Sequence, residues 1–216
     1  SSIVALSKLA ANSFDLTDNY ALTGTVTGAT STQKLFLIKN LDASSSSTLS
    51  FVDGASSVVL DNTYKTYLFK FINIHCETND KHLTFQTSTN GGSSYGVTLL
   101  NTNFRAAHKE DDSFTFFGAV DNNVEQATSF AVINEGLGNA NDASASGELW
   151  LFNPSNTTFV KHYMSQFSGM NFQDPPQATN YFTAGYFNTT SAIDAIQFKM
   201  SSGNIDSGRI ALYGIK

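Results

Sequence analysis

The stretch Tyr64-Lys65-Thr66-Tyr67-Leu68-Phe69-Lys70-Phe71-Ile72-Asn73-Ile74 decides the fold. At the period of a β-strand, Tyr67, Phe69 and Phe71 share one face, and Leu68, Ile72 and Ile74 share the other. A segment apolar on both sides is expected at the centre of a sheet. Outward from it, similar runs recur at the roughly 8–12 residue spacing of a sandwich or barrel. Residues 35–38 read as a fully buried run, and 49–51 alternate up to Asp53-Gly54. Residues 83–85 lead into Asn90-Gly91, a hairpin dipeptide because both positions tolerate positive φ. Further runs lie at 97–99, 114–116, 130–133, 149–152, 159–160, 181–182, 196–200 and 209–213. That is about ten to twelve strands, enough for two packed sheets. Residues 103–112 and 121–128 could each hold a single helical turn. Strands and helices do not alternate, which argues against parallel-sheet nucleotide folds. No fixed repeat period stands out, which argues against propellers and β-helices.

The expected fold class is therefore all-β, an antiparallel β-sandwich over residues 34–216. Residues 1–33 differ. Ile3, Val4, Leu6 and Leu9 could form a short amphipathic helix, and the Leu22–Thr32 part is too small and polar for a core. The segment reads as an arm and linker, with an irregular first strand as the alternative.

Apolar residues make up 41% of the chain, and 18 Phe and 8 Tyr against one Trp assign much of the packing to flat rings. Charged residues are only 14%, well below the roughly 25% of ordinary soluble domains. A surface of Ser, Thr and Asn suits an exposed, robust protein or a subunit partly covered by neighbours, so a homo-oligomer is expected. The net charge of −6 and the scatter of the twelve Lys and Arg residues speak against a nucleic-acid partner. A single cysteine, Cys76, excludes an intrachain disulfide framework and is expected to be structurally dispensable. There is no membrane-length apolar window, and the first residues lack the pattern of a signal peptide. Assembly inside a cell is expected.

Candidate chemistry is sparse. Gly92-Ser93-Ser94-Tyr95-Gly96 has the letters of a nucleophile elbow, but a turn precedes it and a strand signal follows, so it reads as a loop. His75, Cys76 and His82 have metal-ligand letters without a completed tetrahedral set. Glu110-Asp111-Asp112 and Asn139-Ala140-Asn141-Asp142 offer oxygen ligands for calcium, yet lack the spacing of a dedicated loop and read as solvated turns. Asn156-Thr157-Thr158 and Asn188-Thr189-Thr190 fit the glycosylation sequon and read as turn residues. No cofactor and no catalytic residue is expected.

Three segments carry a resemblance. They are residues 49–67, residues 151–162 (Leu151-Phe152-Asn153-Pro154-Ser155-Asn156 onward), and residues 184–215. The last includes Ala184-Gly185-Tyr186-Phe187-Asn188 and the closing Gly203-Asn204-Ile205-Asp206-Ser207-Gly208. Together they resemble a group of virion structural proteins from marine tailed bacteriophages, including phages of cyanobacteria. The resemblance covers about residues 34–216. It implies a jelly-roll-like sandwich on a virus particle assembled in the bacterial cytoplasm, with other virion proteins as partners, a trimer as the favoured oligomer and no catalytic residues. Ile3, Val4, Leu6 and Leu9 would then anchor the subunit. The alternative is a receptor-binding module in which Tyr95, Phe172, Tyr181 and Tyr186 stack on host-surface glycans. A carbohydrate-active enzyme would need two carboxylates in one groove. The Gly203–Gly208 stretch is expected to be a hairpin connection that pairs the last two strands.

Overall fold

The computed structural model describes residues 34–216, so the anchoring positions Ile3, Val4, Leu6 and Leu9 lie outside the described residues. Every regular element among the described residues is a strand. They are β1 (Leu35–Asp42), β2 (Leu49–Val52), β3 (Thr66–Cys76), β4 (Lys81–Ser88), β5 (Leu99–Lys109), β6 (Thr115–Ala119) and β7 (Glu125–Ala127). The remainder are β8 (Ala131–Leu137), β9 (Ala145–Phe152), β10 (Lys161–Met170), β11 (Gln177–Phe187), β12 (Ala195–Met200) and β13 (Ile205–Ile215).

The deciding stretch becomes β3, paired on both sides by β13 and β9. Tyr67, Phe69 and Phe71 are buried, as the alternation requires, whereas Ile72 is 48% exposed. Ile74 departs from the expected face and lies in the core. The cause is a bulge. Asn73 takes φ 49°, the register to β9 shifts between Phe71 and Ile74, and the extra residue returns Ile74 and Cys76 to the inner side. β13 is irregular at the same level, where Gly208 has φ 114° and an added Cβ would lie 2.6 Å from the Asn73 carbonyl oxygen.

Two antiparallel sheets result. One has nine strands in the order β1-β13-β3-β9-β10-β11-β5-β6, with β7 also on β5; the other runs β2-β12-β4-β8. Eight of these strands form two facing sets, β1-β13-β3-β9 and β2-β12-β4-β8, and in chain order they alternate between the sheets except at β4 and β8, which pair with each other in the smaller sheet. That is the two-Greek-key jelly roll. β5 to β7 are inserted between β4 and β8, and β10 and β11 between β9 and β12. Both insertions extend the larger sheet past β9.

This topology corrects two expected hairpins. β12 pairs with β2 and β4 while β13 pairs with β1 and β3, so Gly203–Gly208 is an arch between sheets. Asn90-Gly91 likewise carries the chain from β4 in one sheet to β5 in the other. The same small polar residues serve a hairpin or an arch, and only the buried faces on either side select between them. β1 is corrected too. It is an edge strand with one partner, and Leu35 and Leu37 are exposed instead of fully buried.

The inner faces meet in one aromatic layer. Phe198 of β12 has its ring centroid 5.0 Å from Phe71, 5.4 Å from Phe69, 6.2 Å from Phe85 and 6.3 Å from Phe51, mostly edge-on. Phe85 extends the contact to Tyr163 at 4.9 Å. Truncating such a buried ring removes about 3–5 kcal/mol.

In the extension the inner face turns polar. β5 presents Asn101, Asn103 and Arg105 inward where the core strands carry rings. Asn101 Oδ1 accepts from Val124 N at 2.5 Å, and Asn103 Nδ2 donates to Asn122 O at 2.8 Å. The expected helical turns over 103–112 and 121–128 are therefore absent, because side-chain amides tie a loop and the short β7 alongside an extended β5. Their polarity hid the strand.

Two outcomes follow from the packing. Gly185 sits where β11 meets β5, and a Cβ there would meet the Leu100 carbonyl oxygen and lie 2.8 Å from the Tyr163 hydroxyl oxygen. Gly185→Ala should lower stability by about 1–3 kcal/mol in urea unfolding; an unchanged midpoint would contradict the packing.

Burial holds the phenols of Tyr67, Tyr163 and Tyr181 protonated far above their ordinary range. Acids with a raised folded pKa keep their full contribution below the unfolded value and lose it above, here from about pH 10 upward. Stability should fall steeply there, and the phenolate absorbance of these three should appear only together with loss of β circular dichroism. Titration of every tyrosine in the folded protein would contradict this.

Candidate functional site

A cleft of about 710 Å³ opens at one corner of the larger sheet. It draws on five separate segments. Asp80 comes from the β3–β4 turn and His82 from β4, Arg105 and Lys109 from β5, Ser113 and Phe114 from the β5–β6 turn, Glu135 and Gly136 from β8, and Asn171 to Gln177 from the β10–β11 connection.

Arg105 Nη1 donates to Glu135 Oε2 at 2.8 Å, and the guanidinium carbon lies 5.2 Å from the centre of the Phe116 ring. The ion pair is about one-fifth exposed and rests on this single charge-assisted hydrogen bond. His82 Nδ1 accepts from Gly136 N at 2.9 Å, which places the proton of the neutral ring on Nε2. Gly136 has φ 63°, and a Cβ there would lie 3.5 Å from the Phe172 ring and 3.6 Å from Asp80 Oδ1. Ring and carboxylate thus converge on one backbone position.

The far wall is rigid by internal bonding. Asn171 is buried; its Nδ2 donates to Gln177 Oε1 at 2.9 Å, and its Oδ1 accepts from Gln177 N at 3.0 Å and Gln173 N at 3.2 Å. Phe172 N donates to Gly136 O at 3.0 Å, and Glu110 N to Pro176 O at 3.2 Å. The connection is fastened to β8 on one side and to the β5–β6 turn on the other. In that turn, hydrogen bonds from the side chain and backbone of Ser113 hold the Asp111 carboxyl below its usual range.

Of the four aromatic residues expected from the sequence to meet glycans, only Phe172 lies in this cleft. Tyr181 is fully buried and cannot present its ring; the inner face of β11 claims it for the core. Tyr186 is on the outer face at the other end of β11, its hydroxyl oxygen accepting from Gln126 Nε2 at 2.6 Å. From Gln177 to Tyr186 is about 30 Å at strand rise. Tyr95 is half-buried in the β4–β5 crossover. Four rings in one chain do not make one platform here. Phe114, Arg105, Lys109, Asp80 and Glu135 were missed as a set because no local pattern links five distant segments.

The other candidates resolve as structural. In the 92–96 loop, Ser94 N donates to Asn90 Oδ1 and Asn90 Nδ2 to Ser94 Oγ, while Gly91 N donates to Asp194 Oδ2, so the serine braces a turn. His75 Nε2 lies 2.9 Å from Ala140 O, and His82 is engaged elsewhere by Gly136. Among the described residues no group of three or more His, Cys, Asp or Glu is placed to hold a metal ion. Asn156 Oδ1 caps Thr158 N and Phe159 N at 2.7 Å, and Asn188 Nδ2 donates to Gln126 Oε1, so both sequon asparagines serve turns. Lys161 is buried, and its ammonium donates to the carbonyls of Thr189 and Ser191; burial lowers its pKa. It ties the β11–β12 connection to β10.

Searches against protein-family models, curated proteins and solved structures find no match to the chain. Among the described residues no helix is long and apolar enough to cross a membrane.

Cys76 ends β3 inside the core, its Sγ donating to Leu137 O at 3.4 Å and Gly138 O at 3.1 Å. Burial pushes the thiol up to about 11. Reaction with a maleimide or disulfide reagent at neutral pH should track global unfolding, and Cys76→Ser should lower stability by less than about 1.5 kcal/mol. Rapid labelling of the folded protein would overturn this placement.

Proposed function

We propose that this chain is a non-enzymatic structural subunit of a tailed-phage particle, exposed on the capsid or tail surface and attached through residues 1–33. The observation that carries the reading is where Lys34 and the cleft lie. Lys216 N donates to Lys34 O at 3.1 Å, so the segment 1–33 joins at the β1 edge of the larger sheet. Registers run from there through Thr66, Phe152, Lys161 and Phe187 to Leu99, all at one end of the strands. The cleft is bounded by Lys109 and Gln177, at the opposite end and beyond six strand-to-strand steps. The separation is on the order of 30 Å in each direction. The cleft thus lies at the corner of the sandwich opposite Lys34, where the described chain begins, which leaves it open to a ligand in a subunit held through its N-terminal side.

Two further features support the reading. The three segments that resemble virion proteins fall on the β2-to-β3 passage, the β9–β10 connection and the run from β11 to β13, which frame the jelly roll. The same fold serves capsids and lectins, so fold alone leaves the choice to the resemblance and to the placement of the site. The exposed rings of Phe104 and Phe117, with Phe182 stacked 4.5 Å from Phe104, favour a second copy as cover, and the resemblance to virion proteins favours a trimer before a dimer. The cleft itself favours a second reading, an adhesion module for host-surface glycans.

A chain beginning at Gln33 should fold with the circular dichroism of the whole protein and fail to join particles when supplied during phage assembly. Incorporation at the level of residues 1–216 would overturn attachment through the N-terminal segment.

A further inference from the structure

We infer that the cleft between β5, β8 and the β10–β11 connection is a binding site for an uncharged saccharide. Its volume of about 710 Å³ lies within the roughly 300–1,000 Å³ range of small-molecule sites. Phe114 and Phe172 are 39% and 37% exposed at its mouth, and neither has an aromatic partner among the described residues. Ring faces left open in a concave site suit a ligand with apolar C–H faces and a hydroxyl rim.

The polar groups specify the charge. Arg105 and Glu135 neutralise each other at 2.8 Å. The Asp80 carboxylate and the Lys109 ammonium carry opposite signs, and neither makes a side-chain hydrogen bond or ion pair among the described residues. An anion entering the cleft would face Asp80 and Glu135, and a cation would face Arg105 and Lys109. Sugar hydroxyls donate and accept together, so they satisfy a carboxylate and an ammonium in one site.

A peptide is disfavoured by the backbone. β8 is an edge strand of the smaller sheet, which would invite strand addition. At the cleft that edge is already bonded: Phe172 N donates to Gly136 O, Leu137 bridges Asn171, and Gly136 N is held by His82. The same bonds fix the walls before any ligand arrives, which reduces the ordering cost of a weakly binding ligand.

The test uses the purified 216-residue protein, so it succeeds or fails independently of particle attachment. The probes are an array of neutral and uronic-acid oligosaccharides, then titration of the best neutral oligosaccharide, of glucuronate, of inorganic phosphate and of a tripeptide mixture, followed by amide NMR. A neutral oligosaccharide should shift the amides of Lys109, Gly136 and Phe172 with a Kd of about 1 mM or tighter. Phe172→Ala and Lys109→Ala should each weaken binding by about tenfold or more, equivalent to about 1.4 kcal/mol. Phe159→Ala should leave it unchanged, because that ring is 69% exposed outside the cleft. The inference is overturned if no neutral sugar on the array shifts these amides, if only glucuronate, phosphate or peptides do, or if both cleft variants bind like the wild type.

Discussion

Two sheets share one layer of rings, and the rest of the molecule is arranged around that requirement. Phe198 stands among Phe51, Phe69, Phe71 and Phe85, with rings from both sheets within about one ring width of it. A sandwich core is about 10 Å thick, so each inner face must meet side chains of the other face and nothing else. The chain satisfies this by placing successive core strands in opposite sheets, β4 and β8 excepted, which makes connections such as β1–β2, β2–β3, β3–β4 and β12–β13 arches. The bulge at Asn73 serves the same layer, because without it Ile74 and Cys76 would point outward.

The larger sheet continues beyond the smaller one, and the chemistry changes at that step. Over β10, β11 and β5 the smaller sheet covers the inner face with β8 and with Phe85 of β4, and Ser165, Thr179, Thr183, Asn101 and Asn103 interleave there with the rings of Tyr163, Phe167, Tyr181 and Phe187. Some of these groups find partners: Thr183 Oγ1 donates to Val132 O of β8 and Asn103 Nδ2 to Asn122 O, while nearby Gln86 Nε2 of β4 reaches the loop carbonyls of Val97, Thr128 and Ser129 at 3.1 Å. Buried amides need such partners, and supplying them fixes the loops in place. The cleft is the part of this step that no loop fills.

Electrostatics has a small share in the fold and a larger one at the cleft. The Arg209–Asp42 and Lys70–Glu148 pairs are well exposed and contribute little to stability. Arg105–Glu135 is more enclosed and orients two side chains toward the same space. The β1 edge, where the described chain begins, and the cleft at the far corner lie on different parts of one sheet.

The sequence by itself determined the all-β class, the position of β3 inside a sheet and the rings that make the core, because two-residue alternation is a local property of a strand. It also showed Cys76 at a strand end without a cysteine partner and the 92–96 serines in a turn. It could not show β5 and β10 at full length, since Asn101, Asn103 and Ser165 break the apolar alternation while pointing inward. It placed Tyr181 on a glycan-binding surface although the ring is core, because an aromatic beside polar residues looks the same from either side of a sheet. Arch or hairpin, the face of Ile74, and the meeting of Asp80, His82, Arg105, Lys109, Phe114, Glu135 and Phe172 were decided only by tertiary structure. The physical reason is common to all three: each depends on which distant strand supplies the hydrogen bonds and the covering side chains, and that choice is made by the fit of whole faces and left unspecified by any single segment.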